Sequence, residues 1–176
     1  VQSFTSNVFL VDGERTALVD VGNDFDVLAA LGDDEFVSDD IDVVVLTHTH
    51  PDHVGNLDAV REATDAPVYA FDTEYPGVDE ELPDDGTIQL GDHTYRALHT
   101  PGHKNDHICL YSAAAGVLFA GDLVFANGSF GRTDLEEGDR DLLIDSIDRV
   151  LDDVDEDLAE MHTGHGPSVT TNPYHD

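Results

Sequence analysis

The sequence predicts a mixed α/β fold in which two β-sheets pack as a sandwich and helices cover them. Short segments rich in β-branched residues indicate strands, and segments with apolar residues three and four positions apart indicate helices. These segments fall into two halves with neither a linker nor an internal repeat between them. A length of 176 residues is ordinary for one domain with its own core, so residues 1–176 are predicted to form a single domain.

The first half of the chain predicts four strands and two helices. The strands are the apolar segments Asn7–Val11, Thr16–Val21, Ile41–Leu46 and Pro67–Phe71. The first helix is expected to begin at Asn23 and to end at Gly32. Its apolar face includes Phe25 and Leu31. The second helix is expected to span Asp52–Thr64, with its apolar residues turned inward.

The second half predicts two hairpins, a helix and a final strand. In chain order these are Thr87–Leu90 with Thr94–Leu98, His107–Tyr111 with Val117–Ala120, Asp141–Leu151, and Leu158–His162. The helix carries Leu142 and Leu151 on its apolar face, together with three further aliphatic residues. Asp72–Asp85 and Asn127–Gly138 are predicted to be loops, because the first is acidic with two prolines and the second is rich in glycine.

The charge of the chain is extreme. It has 39 acidic residues against seven basic ones, which gives a net charge of -32. Such a surface is typical of adaptation to molar salt, where repulsion between exposed charges is screened over very short distances. The excess of aspartate and the single lysine, Lys104, resemble haloarchaeal cytoplasmic proteins. The alternative is an acidic surface that binds cations or a partner.

The composition also excludes several partners and locations. No basic patch is present, so binding to nucleic acid is not expected. No segment approaches the ~20 apolar residues of a membrane span, and the first residues show no signal-peptide pattern. A cytoplasmic location is therefore expected. Cys109 is the only cysteine, which excludes an intramolecular disulfide, and its apolar neighbours predict a buried structural thiol.

A histidine-rich motif, THTHPDH at residues 47–53, follows the third predicted strand. Imidazole and carboxylate groups are ligands for divalent metals such as zinc. Because alternate residues of an extended chain point the same way, His48 and His50 can reach one ion together. Asp52 and His53 would begin the next helix and face a second ion. The alternative is a solvated turn that is rich in histidine by chance.

Three further candidate ligands lie downstream, each where a predicted strand gives way to a loop. They are His103 in Pro101-Gly102-His103, Asp122 in Gly121-Asp122, and His165 in Gly164-His165-Gly166. A glycine precedes each of them and allows the backbone to approach a shared ion closely. Taken singly, each is typical of a turn. Together with the histidine-rich motif they predict one metal site.

This set of motifs resembles the metallo-β-lactamase superfamily, in which THTHPDH, PGH, GD and GHG occur in the same order. The resemblance covers nearly the whole chain and implies an αββα sandwich, two mixed sheets flanked by helices, with a two-metal centre at one edge. The implied ligands are His48, His50 and His103 for one ion, Asp52, His53 and His165 for the other, and Asp122 as a bridge. The resemblance implies two zinc ions, with iron or manganese as alternatives.

The segment Gly131-Arg132-Thr133-Asp134 resembles the GRTD segment of compact glyoxalase II-like thioesterases, which are similar to hydroxyacylglutathione hydrolases. The alternative is a tight loop that only packs against the sandwich. The resemblance implies that a hydroxide bridging two metals cleaves a small thioester. A thiol with a pKa of ~8.5 can leave as thiolate without a dedicated acid.

Three residues are predicted to act on the substrate. Asp52 is predicted to orient the hydroxide. Arg132 and Lys104 are predicted to bind a carboxylate-bearing thiol, because such a group needs cations. The alternative for both is a local ion pair with the abundant aspartates. Larger glyoxalase II enzymes bind glutathione through an added helical domain that this sequence does not show, so another small thiol is an open alternative.

Other functions remain open. The first is a mononuclear iron persulfide dioxygenase, in which only His48, His103 and Asp122 would bind metal. The second is a ribonuclease, which the charge of the chain disfavours. The third is a metal-stabilised binding protein without catalytic activity. Metal content distinguishes the first alternative, since two zinc ions favour the hydrolase and one iron favours the dioxygenase.

Overall fold

The computed structural model describes residues 5–33 and 40–175, and it confirms the predicted fold class. Two five-stranded mixed sheets pack face to face, and helices cover the outer faces. No helix among the described residues is both long and apolar enough to cross a bilayer.

The first sheet comes from the first half of the chain. Its strands are β1 (Phe9–Val11), β2 (Ala17–Val19), β3 (Val43–Val45), β4 (Val68–Ala70) and β5 (Glu80–Glu81). They lie in sequence order, with β1 antiparallel to β2 and the other neighbours parallel. Parallel neighbours need long crossovers, which here carry the helices of this half.

The second sheet follows in the chain. Its strands are β6 (Thr87–Leu90), β7 (His93–His99), β8 (Ile108–Ser112), β9 (Val117–Gly121) and β12 (Glu160–Thr163), and a separate ribbon is formed by β10 (Val124–Phe125) and β11 (Ser129–Phe130). The order is β12-β9-β8-β7-β6. β12 is parallel to β9, and the other neighbours are antiparallel.

Among the described residues, four α-helices flank the sheets. They are α1 (Val27–Asp33), α2 (Pro51–Val54), α3 (Leu57–Ala63) and α4 (Arg140–Asp153). The carboxylate of Asp139 caps α4 by accepting hydrogen bonds from the backbone amides of Asp141 and Leu142, at 2.9 and 3.1 Å. Such a cap satisfies amides that have no partner within the helix.

Alternation along the strands divides the core into three layers. In β2, Ala17 and Val19 face the second sheet, whereas Leu18 faces the layer beneath α1, α2 and α3. In β8, Leu110 faces the first sheet, whereas Cys109 packs with residues of α4. Both faces of each sheet are thus buried, which explains why the central strands read as continuous apolar runs.

The structure corrects the helices predicted in the first half. The first begins at Val27 rather than Asn23 and runs to Asp33. Phe25 therefore precedes it and is 38% exposed. The predicted helix over Asp52–Thr64 is divided into α2 and α3. At the break, Asn56 donates to backbone oxygens of the segment after β2, its amide to Gly22 and its side chain to Val21. These tertiary hydrogen bonds prevent the two helices from forming one continuous helix.

The second half shows three smaller differences. Helix α4 buries Leu143 and Val150, whereas Leu142 and Leu151 are 41% and 44% exposed. The prediction of a wider apolar face was therefore wrong. The predicted loop over Asp72–Asp85 contains β5, and the ribbon strand β11 lies within the predicted loop over residues 127–138. These strands are two residues long and are defined by backbone pairing. The pattern of their side chains therefore could not predict them.

We expect the thiol of Cys109 to be inert in the native protein. Cys109 is fully buried in β8, and burial raises the pKa of its thiol to about 12. Because only an accessible thiolate reacts, a disulfide reagent should modify the folded protein at least ~100-fold more slowly than the unfolded chain. Absorbance of the released thiol measures both rates. Equal rates in the two states would contradict the buried position.

Candidate metal centre

All seven side chains predicted as metal ligands converge at one edge of the sandwich. The residues are His48 and His50 after β3, Asp52 and His53 in α2, His103 after β7, Asp122 after β9 and His165 after β12. They form three overlapping groups, and within each group the candidate ligand atoms lie within 4.8 Å of one another. The parallel pair β9 and β12 explains part of this, since strands that run side by side end at the same edge.

The first group consists of His48, His50 and His103. The Nδ1 atom of His50 lies 3.1 Å from Nε2 of His48 and 2.9 Å from Nε2 of His103. Three ring nitrogens thus point at one small volume. Neutral imidazoles in this arrangement suit a borderline divalent ion.

Asp122 connects this group with the remaining ligands. Its Oδ2 atom lies 3.3 Å from Nε2 of His103 and 3.4 Å from Nε2 of His165, and its Oδ1 atom lies 3.3 Å from Nε2 of His53. Asp52, His53 and His165 form the second group, in which Oδ2 of Asp52 lies 3.0 Å from Nε2 of His165. One carboxylate between two sets of imidazoles is the arrangement that a bridging ligand requires.

The outer nitrogens of three ligand histidines are held by hydrogen bonds. Nδ1 of His53 lies 2.8 Å from the carboxylate of Asp20, and Nδ1 of His103 lies 2.8 Å from the carbonyl oxygen of Arg132. Nδ1 of His48 lies 3.1 Å from the hydroxyl oxygen of Thr47. Carboxylate and carbonyl oxygens can only accept, so His53 and His103 donate from Nδ1. In the neutral form of each ring, Nε2 is then the nitrogen without a proton and is the one available to a metal.

Asp20 is the main support beneath the second group. It is buried, with φ of 58°, in the left-handed conformation that aspartate tolerates better than most residues. Its Oδ1 accepts from the amide of Thr47, and its Oδ2 accepts from the hydroxyl of Thr47 and from His53, all at 2.8 Å. One side chain therefore fixes both the start of the histidine-rich motif and the histidine at its end.

The charges of the candidate metal centre favour a bound cation. Burial lowers the pKa of His48, which keeps this imidazole neutral. Burial opposes a charge on His53 as well, but Asp20 and Asp122 outweigh it and raise the pKa of His53 to about 10. Burial alone would raise the pKa of Asp122, yet His165 and His53 hold it well below its usual range. A divalent ion would satisfy the same carboxylates.

The residues present fit a metal. Nε2 of His53 and Oδ1 of Asp122 are buried and make no hydrogen bond. Buried polar atoms of this kind normally have partners, and two of them facing each other in a histidine and aspartate cluster point to a shared ligand. The donor set of imidazole nitrogens and carboxylate oxygens suits zinc, iron or manganese.

His107 is a supporting residue that was not singled out from the sequence. It is fully buried, its Nε2 accepts a hydrogen bond of 2.9 Å from the amide of Asp122, and its Nδ1 lies 2.8 Å from the hydroxyl of Thr100. Burial, with a smaller contribution from His103, lowers its pKa to about 3, so the ring is neutral. The available signal was a histidine at the start of an apolar strand between two metal motifs.

Gly121 is required by the contact between His107 and the backbone amide of Asp122. Its φ is 51°, and a Cβ atom there would lie 2.6 Å from Nε2 of His107. Only glycine allows the backbone to turn so tightly against the imidazole. The glycine before Asp122 in the sequence is therefore explained by packing as well as by the turn.

The metal centre opens into a pocket of about 500 Å³. Its walls include Pro51, Phe125 and Leu135, and Arg132 is the only lysine or arginine among the described residues that line it. The side chain of Arg132 is 67% exposed and forms a two-point ion pair with Asp134, at 2.9 and 2.8 Å. Arg132 thus lines the pocket while its guanidinium is already paired with the carboxylate of Asp134.

Lys104 lies elsewhere. Its side chain is 14% exposed, does not line the pocket, and contacts Asp106 and Glu137 at 3.3 Å each. The structure therefore does not bring Lys104 together with the metal ligands and Arg132. Asp52, the predicted catalytic residue, does line the pocket and is 19% exposed.

Comparison with known proteins agrees with this architecture. The sequence model of the Metallo-beta-lactamase superfamily matches residues 2–165. The hydroxyacylglutathione hydrolase GloC of Haemophilus influenzae is 29% identical over 194 residues, which covers 97% of this chain and 90% of that protein.

Two solved structures share the fold over almost the whole chain. The BLEG-1 B3 metallo-beta-lactamase superposes with a TM-score of 0.81 at 28% identity, covering 99% of this chain and 96% of the other. TTHA1623, solved in a di-iron-bound form, superposes with a TM-score of 0.78 at 30% identity, covering 97% of this chain and 92% of the other. One solved structure with this fold therefore holds two iron ions.

Proposed function

The chain belongs to the metallo-beta-lactamase superfamily, and from this premise we propose that it is a metal-dependent hydrolase that cleaves a small thioester of the hydroxyacyl-thiol kind. The observation that carries the proposal is the convergence of all seven predicted ligands at the edge of one pocket. The thioester part is supported by the similarity to a hydroxyacylglutathione hydrolase over nearly the full length of both chains.

The residues that would hold the metals divide as the family pattern implies. The first ion would be held by His48, His50 and His103, the second by Asp52, His53 and His165, and both by Asp122. Divalent ions bound there would supply a hydroxide at neutral pH and polarise the acyl carbonyl group. Zinc is proposed, with iron or manganese as alternatives.

Side chains that line the pocket would provide the rest of the chemistry. Burial acts to raise the pKa of Asp52, but its hydrogen bond with His165 and the neighbouring His53 outweigh this and lower it. Asp52 therefore remains a carboxylate, whose oxygen can accept a hydrogen bond from a water in the pocket and so orient it. Phe125 and Leu135 provide an apolar wall that limits access of bulk water.

The leaving group points to a thioester. Among the described residues that line the pocket, the only carboxylates are the predicted ligands Asp52 and Asp122, and no lysine, tyrosine or cysteine is present. An amine or alkoxide leaving group would need a proton from such an acid. A thiol with a pKa of ~8.5 departs as thiolate without one.

The test combines metal analysis with a panel of substrates in molar KCl. We expect about two ions per chain and turnover of a hydroxyacyl thioester well above that of a carboxylic ester, a β-lactam, a persulfide and RNA. One iron per chain with oxygen-dependent persulfide turnover would replace the proposal with a mononuclear dioxygenase. A metal-loaded protein that turned over none of these compounds would indicate a binding protein.

Arg132→Ala is expected to raise KM about fivefold for a thioester whose thiol carries a carboxylate, because an exposed guanidinium pairs only weakly with a carboxylate in water. Metal content and kcat should stay unchanged, since only the backbone carbonyl of Arg132 contacts His103. Steady-state kinetics with a charged and a neutral thiol ester separate the contributions. An unchanged KM for the charged ester would remove Arg132 from substrate binding.

A further inference from the structure

The centre of the histidine-rich motif is held by a buried carboxylate. Thr49 lies between the ligands His48 and His50, and Asp106 accepts hydrogen bonds from its amide at 3.0 Å and from its hydroxyl at 2.6 Å. Thr49 and Asp106 are 6% and 5% exposed. Both donors reach the same oxygen, Oδ2, so this carboxylate fixes the backbone between two ligands.

A buried carboxylate needs a compensating charge, and Lys104 supplies it. The Nζ atom of Lys104 lies 3.3 Å from Oδ1 of Asp106, and Oδ1 makes no hydrogen bond. The two side chains are 14% and 6% exposed, so molar salt screens the pair far less than it screens surface charges. Without Lys104, Asp106 would hold an uncompensated charge beneath the metal ligands.

The same lysine reaches the loop that supports His103. Nζ of Lys104 lies 3.3 Å from both carboxylate oxygens of Glu137, and Glu137 also accepts from the amide of Asn105 at 3.2 Å. Five residues earlier in that loop, the carbonyl of Arg132 accepts from His103. Lys104 thus joins Asp106, which holds the segment of His48 and His50, to the loop that supports His103.

We propose that Lys104 and Asp106 form a positioning pair for the ion held by His48, His50 and His103, and that Lys104 contacts no substrate. The pair acts through Thr49, whose amide and hydroxyl set the direction of the two histidines beside it. This inference concerns metal binding and is measured without turnover, so it is tested separately from the thioester substrate proposed above. It also explains why Lys-Asn-Asp follows His103 in this chain.

The test is a stepwise metal titration of the full chain against a chromophoric chelator, in molar KCl. Lys104→Met is expected to weaken binding of one of the two ions by about 10- to 100-fold, the usual effect of losing a residue that orients a ligand. Affinity for the other ion and KM for the substrate should stay within twofold. Lys104→Arg should restore the affinity, because it keeps the charge.

Two further variants make the test specific. Glu137→Gln is the matched control, since it removes the other acidic partner of Lys104 and leaves Thr49 untouched, and we expect less than a twofold change. The double variant K104M/D106N should lose less affinity than Lys104→Met alone, because no uncompensated carboxylate is left.

Two results would contradict the proposal that Lys104 and Asp106 position the metal ligands. The first is a raised KM for Lys104→Met with both metal affinities intact, which would make Lys104 a substrate contact. The second is no change in either quantity, which would make the ion pair irrelevant to the centre. If Lys104→Met does not fold, Asp106→Asn is titrated instead, and unchanged affinity for both ions in that variant counts against the proposal in the same way.

Discussion

Asp122→Ala is expected to remove activity and metal together. Asp122 is 5% exposed and its two oxygens lie 3.3 to 3.4 Å from ring nitrogens of His53, His103 and His165. This carboxylate therefore lies within ion-pair distance of one histidine of the first group and of two histidines of the second. Without this carboxylate, three imidazoles lose the negative charge that holds a cation between them. We expect less than one ion per chain and a fall in kcat/KM on the order of 10³-fold or more.

Two measurements test this prediction. Metal content is determined by elemental analysis after gel filtration, and kcat/KM is determined at saturating added metal. Asp145→Ala is the matched control, because Asp145 is an exposed aspartate of α4 away from the pocket. Hydrolysis at the wild-type rate by Asp122→Ala would show that the carboxylate does not bridge the two ions.

The candidate metal ligands could be selected from the sequence because each lies in a short local motif. The motif at residues 47–53 combines residue type, alternate spacing and a preceding strand, and His103, Asp122 and His165 each follow a glycine at a strand end. Strand ends in such a sheet meet at one edge, so separate short motifs become one cluster. For the same reason, the hairpin of β6 and β7 could be predicted from its two strand segments.

The supporting residues depend on contacts that sequence does not display. Asp106 contacts Thr49, 57 positions earlier in the chain, and His107 contacts the amide of Asp122 at the open end of the β8–β9 hairpin. Such pairs form only once the loops at the edge of the sandwich have packed. Lys104 shows the consequence: a lone lysine after a metal motif predicts a substrate contact, but the structure gives it two acidic neighbours outside the pocket.

The prediction of the helix boundaries was wrong for a related reason. Apolar spacing over residues 52–64 predicts one helix, yet tertiary hydrogen bonds from Asn56 divide it after α2. The break serves the site, because α2 is a single turn that places Asp52 at the pocket and His53 in the core. Helix propensity does not decide where a helix ends when tertiary contacts fix a short turn whose two candidate ligands point in different directions.

Asp20→Ala is expected to weaken both the fold and the second metal group. Asp20 touches no substrate, but it accepts three hydrogen bonds from Thr47 and His53. Its removal leaves the buried amide and hydroxyl of Thr47 without this acceptor, and each such group costs about 1 to 3 kcal/mol. We expect the free energy of unfolding of the metal-free protein to fall by about 3 kcal/mol, measured by urea denaturation in molar KCl.

The effect on metal separates an orienting role from a purely structural one. Asp20→Asn keeps the size of the side chain but loses the charge that holds the proton on Nδ1 of His53, so Nε2 is no longer fixed as the free nitrogen. We expect affinity for the ion at Asp52, His53 and His165 to fall about 10- to 100-fold, with a smaller loss of stability than in Asp20→Ala. Asp42→Asn is the matched control, since this exposed aspartate accepts a single amide, that of Thr16. Equal metal affinity in Asp20→Asn and Asp42→Asn would show that Asp20 supports the strand ends alone, and that His53 reaches the metal without it.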